Sequence, residues 1–255
     1  MKNVRNVANR QTSRIIIGVD TGLPWYLTCM NSEGVFHNEK LKNVGDEGTD
    51  RDYDPKNRVR ELLNRWPMSI VIGDQGGELS PLRILQQEFP GRVFLCFYRK
   101  DRKSLEPITW GENEEQGRVT VDRNRMFQIM VEYLRDSGRI ILNGTREDWQ
   151  EWAAHFDNVY RETKIAKNTP GKDVATNYGP ELIWKRNGPD HYCHTLLYCL
   201  VGMSKYSQGM AQIIKLDRFM AGVQVGSNVD GSINAGMNGK KYRSFFEGSG
   251  GLADF

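Results

Sequence analysis

The sequence predicts an α/β protein: a mixed central sheet flanked by helices, with an added β-hairpin. Three observations carry that expectation. Two β-branched runs, RIIIGVD ending at Asp20 and MSIVIGD ending at Asp74, each read as a buried strand that releases a carboxylate where it leaves the core. Between residues 55 and 98 helix and strand patterns alternate, which implies parallel pairing. The segment HYCHTLLYCLVGMSKY (191–206) is apolar nearly all round, so it reads as a helix packed against that sheet.

In chain order, residues 1–12 read as a flexible lead and the first strand covers 14–20. WYLTCM (25–30) and GVFHNEKLK (34–42) are further strands, with NSEG as the turn between them. After a polar loop, a helix over 55–65 is signalled by Asp54 as N-cap and Pro55 at its first position. Strand 68–73 delivers Asp74. LSPLRILQQEF (79–89) is a helix with Ser80 as N-cap before Pro81, and VFLCFY (93–98) returns as a strand. Segments 108–110 and 118–122 form a hairpin around the acidic loop GENEEQG, followed by an amphipathic helix over 123–136. RIILN is a short strand and 146–156 a helix. VYRETKIAK and VATNYGPELIWKR flank the turn-rich NTPGKD, the pattern of an extended β-hairpin. Residues 13–220 thus form one domain, and the Gly-rich segment 221–255, without periodicity, is a flexible or loosely docked tail.

Composition narrows the classes. A hydrophobic fraction of 38% with 26% charged residues is that of a soluble globular protein. No run approaches the ~18 apolar residues of a membrane span, and the basic, polar N-terminus lacks the apolar segment of a secretion signal. Cys29, Cys96, Cys193 and Cys199 include no CxxC pair, which favours inert core thiols over disulfides or zinc. Neither Gly-x4-Gly-Lys-Ser/Thr nor Gly-x-Ser-x-Gly is present, so no ATPase phosphate loop or hydrolase elbow is written here. The net charge is only +3, but cations gather at 99–103, at 161–172 with Lys185 and Arg186 beyond, and at 240–243. Any one run reads first as a solvated face; several together suit a phosphate backbone.

Asp20, Asp74 and Asp190 are the candidate catalytic and metal-binding residues. Alone, Asp20 and Asp74 are ordinary turn aspartates, and Asp190 is an ordinary helix-start acid favoured by the dipole. Together they suggest a carboxylate cluster that repels itself unless cations fill it, and oxygen donors at that density suit Mg2+ or Mn2+. Gly76 and Gly77 allow close approach of a ligand, with Glu78 as an extra carboxylate or a solvated first-turn acid. His194 lies four residues beyond Asp190 on the same helical face, so it reads as a ligand or as a satisfied core histidine. His191 is the other candidate ligand. Lys164, Lys167, Lys172, Lys185 and Arg186 are the candidate DNA-binding residues.

IIIGVDTG, VIGDQGG and especially NGPDHYCHTLLY resemble the C-terminal nuclease domain of the large terminase subunit of tailed bacteriophages, over about residues 14–206. The first two segments alone fit many ribonuclease H-like enzymes; the third is the most specific. The resemblance implies a ribonuclease H-like sheet, with Asp20, Asp74 and Asp190 at the metal-binding acid positions and Asp20 bridging two Mg2+ or Mn2+ ions. His191 stands where many relatives have a second Asp, and the hairpin near 160–186 takes the place of a DNA-facing hairpin. The implied activity is metal-dependent cleavage of concatemeric viral double-stranded DNA during genome packaging, with little sequence preference, in the host cell cytoplasm. Implied partners are the packaging ATPase domain, the small terminase subunit and the portal; the ATPase domain is missing from this sequence, which reads as an isolated nuclease domain. Alternatives are a Holliday-junction resolvase or another ribonuclease H-like nuclease, and a non-catalytic DNA- or portal-binding assembly module.

Overall fold

In the computed structural model, which describes residues 14–42, 54–75, 81–99, 106–112, 116–135, 141–164 and 181–206, the chain opens with an antiparallel meander. Strands β1 (Ile16–Asp20), β2 (Tyr26–Asn31) and β3 (Gly34–Lys40) are joined by loops too short for anything but antiparallel pairing. Helix α1 (Pro55–Arg65) starts where its signals place it. The Asp54 carboxylate accepts from the Lys56 amide at 2.9 Å, and Pro55 opens the first turn. Strand β4 (Ile70–Asp74), helix α2 (Pro81–Glu88) and strand β5 (Val93–Tyr98) complete the alternation, and β4 and β5 pair in parallel with β1 and β4 respectively. The hairpin of β6 (Ile108–Trp110) and β7 (Arg118–Val121) joins with β7 parallel to β5. The described sheet runs β3-β2-β1-β4-β5-β7-β6, parallel in the middle and antiparallel at both sides.

Helices cover both faces. One core joins Ile15, Ile17 and Val19 to Leu62 and Leu63 of α1 and Leu82 and Leu85 of α2. The other joins Ile16 and Ile72 to α3 (Arg123–Arg135), α4 (Gln150–Asp157, entered through a 3-10 turn at Glu147–Trp149) and α5 (His191–Tyr206). This double cover is why β1 reads as an unbroken apolar run rather than an alternating one.

Helix α5 lies directly on β1. A Cβ at Gly18 would stand 1.9 Å from the Thr195 carbonyl oxygen, so only glycine lets the two backbones approach this closely. Beside this crossing, the buried hydroxyls of Thr28 and Thr195 are hydrogen-bonded at 2.6 Å, and Thr195 Oγ1 donates to the Tyr192 carbonyl at 3.0 Å. The start of α5 is thereby set against the C-terminal end of β1.

Of the expected strand RIILN, residues 141–143 are described. They make one parallel bridge, Leu142 to Val35, beside the register shift at Cys29/Met30. The hairpin strands β8 (Val159–Lys164) and β9 (Glu181–Arg186) form a separate two-stranded sheet. It is fastened to α3: the Trp184 amide donates to Asn124 Oδ1 at 3.1 Å and Arg123 donates to the Trp184 carbonyl at 2.9 Å. The lead 1–12, Glu78, Ser80, the hairpin tip with Lys167 and Lys172, the Lys164 side chain and the tail 221–255 lie outside the described residues.

Candidate active site

The register of β1 and β4, in which Val19 is level with Gly73, brings Asp20 and Asp74 to the C-terminal ends of neighbouring parallel strands. The turn after β1 wraps onto both acids. The Thr21 amide and hydroxyl each donate to Asp74 Oδ1 at 2.8 Å, and the Gly22 amide donates to Asp20 Oδ1 at 3.0 Å. Burial pushes the Asp74 carboxyl above its ordinary value; the Thr21 donors oppose this and the Asp20 charge adds to it.

The first residue of α5 faces this pair. His191 Nδ1 lies 3.3 Å from Asp20 Oδ2, and its ring stacks on Tyr26 with centroids 4.6 Å apart and planes 3° from parallel. The bond to Asp20 raises the His191 pKa against the opposing effect of burial. Behind it, His155 Nδ1 accepts from the buried Tyr192 amide at 3.1 Å, and burial together with the His191 charge holds His155 below its usual value.

Asp190 belongs to a second group. Its side chain is 1% exposed, with Arg186 donating to Oδ1 at 2.7 Å and His194 Nε2 3.2 Å from Oδ2. The Arg123 guanidinium approaches Oδ2 at 3.8 Å. Burial alone would raise the Asp190 carboxyl, but His194 and Arg186 outweigh it and hold the group well below the usual carboxylate range. The other ring nitrogen of His194 meets the Tyr98 hydroxyl. Asp20, Asp74 and His191 are therefore brought together, while both oxygens of Asp190 are taken by the chain's own donors.

Among the described residues no group of three or more His, Cys, Asp or Glu is spaced to hold a metal ion. Asp20 and Asp74 nonetheless present hard oxygen donors on adjacent strand ends. That suits Mg2+ or Mn2+ coordinated by one or two carboxylates and otherwise by water and substrate oxygens. A metal ion at Asp190 would compete with its contacts to Arg186 and His194. The four cysteines are free and buried, as inert core thiols should be.

The hairpin separates two residues that the sequence writes side by side. Tyr160 pairs with Lys185 and Arg161 with Trp184, so alternate positions face alternate sides. Trp184 packs toward Phe127 of α3; Arg186, two positions on, shares that side and reaches Asp190. Lys185 faces the other way and is ion-paired with Glu162. Tyr26, Tyr98, Arg123 and His155 had no sequence signal, since each reaches the site from a different element.

Among the described residues no helix is long and apolar enough to cross a membrane. Comparison with protein-family models, with curated proteins and with solved structures finds no match.

Proposed function

We propose that this chain is a metal-dependent endonuclease of ribonuclease H-like architecture that cleaves double-stranded DNA, as the terminase nuclease domains it resembles do. The observation that carries the reading is the placement of Asp20 and Asp74 side by side at the ends of parallel strands, with the start of α5 against them. Support also comes from the sheet itself, an antiparallel meander whose first strand continues into parallel neighbours.

Mg2+ or Mn2+ held by Asp20 and Asp74 would supply an activated water and positive charge for the leaving oxygen. The chain's own part is to hold the two carboxylates. Thr21 and Gly22 fix their orientation, and Tyr26 keeps the His191 ring beside Asp20. Arg186, on the site side of the hairpin, and the basic residues Lys164, Lys167, Lys172 and Lys185 bind backbone phosphates without reading bases, which gives little sequence preference. The proposed setting is cleavage of concatemeric viral DNA during packaging in the host cytoplasm, with a packaging ATPase, small terminase subunit and portal as partners.

Digestion of supercoiled plasmid with Mg2+, Mn2+, Ca2+ or EDTA tests this. Nicked and linear products are expected with Mg2+ or Mn2+ and none with EDTA. A second reading, a non-catalytic DNA-binding or assembly module, is favoured by the engagement of both Asp190 oxygens. Under it, DNA binding survives EDTA and no metal yields product.

A further inference from the structure

The Arg186 side chain is 61% exposed, whereas that of Asp190, 2.7 Å away, is 1% exposed. One partner of this ion pair is locked in the fold and the other has an open path into solvent. Asp190 is fixed by the first turn of α5, where its carbonyl accepts from the Cys193 and His194 amides at 3.0 and 3.3 Å. The backbone between Arg186 and Asp190 is also tied, with the Asn187 amide donating to the Asn158 carbonyl at 3.0 Å and Asn158 Nδ2 donating to the Pro189 carbonyl at 2.9 Å. What remains free to move is the arginine side chain. Its guanidinium also feels the Asp20 charge, so it stands within electrostatic reach of both acid groups.

A buried carboxylate stripped of its cation is strongly disfavoured unless another cation replaces it. A guanidinium binds phosphate with the same planar fork that it uses for carboxylate, so a phosphodiester can compete for it directly. We propose that Arg186 is a substrate-exchanged counter-ion. In the resting chain it takes the place of a divalent cation beside Asp190, and a backbone phosphate of duplex DNA draws it away, so that Asp190 joins Asp20 and Asp74 only when DNA is bound. This inference rests on the nuclease reading. It makes metal and DNA binding mutually reinforcing, because each favours the same position of one side chain. Arg60 serves as an internal control: it carries the same charge and is ion-paired with Glu88, in α1 on the sheet face opposite α5.

The test is Mn2+ uptake by the full chain, stripped with EDTA and dialysed, followed by the electron paramagnetic resonance signal of free Mn2+. Arg186→Gln is expected to bind Mn2+ roughly tenfold more tightly than the parent and to gain more in melting temperature on Mn2+ addition, while Arg60→Gln matches the parent. A short DNA duplex, corrected for the Mn2+ it binds alone, should tighten uptake by the parent by a larger factor than uptake by Arg186→Gln, because only the parent has a counter-ion to displace. Unchanged or weaker Mn2+ binding by Arg186→Gln, with parental uptake still abolished by Asp20→Asn, overturns the exchange and leaves the nuclease reading standing. Absence of uptake in every protein, with or without duplex, overturns both. Should Arg186→Gln fail to fold, Arg186→Lys keeps the charge without the fork; it is expected to shift in the same direction by less, and parental behaviour overturns the exchange.

Discussion

Asp74 and Asp190 meet opposite surroundings, and substituting asparagine for each should move stability in opposite directions. The Asp74 carboxyl is raised, chiefly by burial. Its preference for the protonated form favours the fold below the unfolded value of about 3.9, and that contribution is lost as pH rises through the folded value. Asp74→Asn in metal-free buffer should therefore melt higher than the parent at pH 7 and lose that advantage near pH 4, since the amide oxygen still accepts from Thr21. The Asp190 carboxyl is lowered, because His194 and Arg186 outweigh burial. Its contribution is present above about 3.9 and is lost only as pH falls through the lower folded value. Asp190→Asn should cost roughly 1–3 kcal/mol at pH 7, between the values for exposed and buried pairs because Arg186 is exposed. Denaturant unfolding of the two variants beside the parent checks both signs. Under the proposed function Asp20→Asn and Asp74→Asn each reduce plasmid cleavage by orders of magnitude, and near-parental activity in both would remove these acids from the site.

Among the elements, the crossing of α5 over β1 determines how the site is assembled. Gly18→Ala places a methyl group 1.9 Å from the Thr195 carbonyl oxygen, a backbone atom that cannot step aside without moving the helix. A loss of about 2–3 kcal/mol is expected, together with lower cleavage as His191 shifts from Asp20. The Thr28–Thr195 hydroxyl pair gives a double-mutant test of the same crossing. Thr195→Val leaves the Thr28 hydroxyl buried without this partner and should cost about 1–3 kcal/mol. Thr28→Val with Thr195→Val removes both hydroxyls and should recover most of that loss. If the double variant is as unstable as the sum of the singles, the hydroxyl pair is not what joins β2 to α5.

For the whole molecule, a net charge of only +3 means that the DNA binding of the proposed function would come from the local arrangement of cations. Neutralising Lys164, Lys167 and Lys172 together should weaken duplex binding across all sequences. It should also make the dependence of log affinity on log salt shallower, by up to roughly 0.9 for each DNA phosphate that is no longer neutralised. Fluorescence anisotropy over a salt series measures this, and an unchanged slope would return these lysines to a solvated face.

The α/β class, helix 55–65 with its Asp54 cap, strand 93–98 and helix 191–206 were legible in the sequence, because caps and apolar periodicity act within a few residues of one another. The strand-end positions of Asp20 and Asp74 were legible for the same reason. Of RIILN the described residues 141–143 add one parallel bridge, Leu142 to Val35, a pairing with a residue far away in the chain that no local signal specifies. Only the tertiary structure decided that Asp20 and Asp74 are neighbours, since that follows from the register of two strands far apart in the chain. It alone showed both Asp190 oxygens engaged by Arg186 and His194, and it alone turned Arg186 toward the site while Lys185 turned away. Charge pairing depends on which side chains share a desolvated space, and that space exists only once the sheet, α3, the hairpin and α5 have packed together.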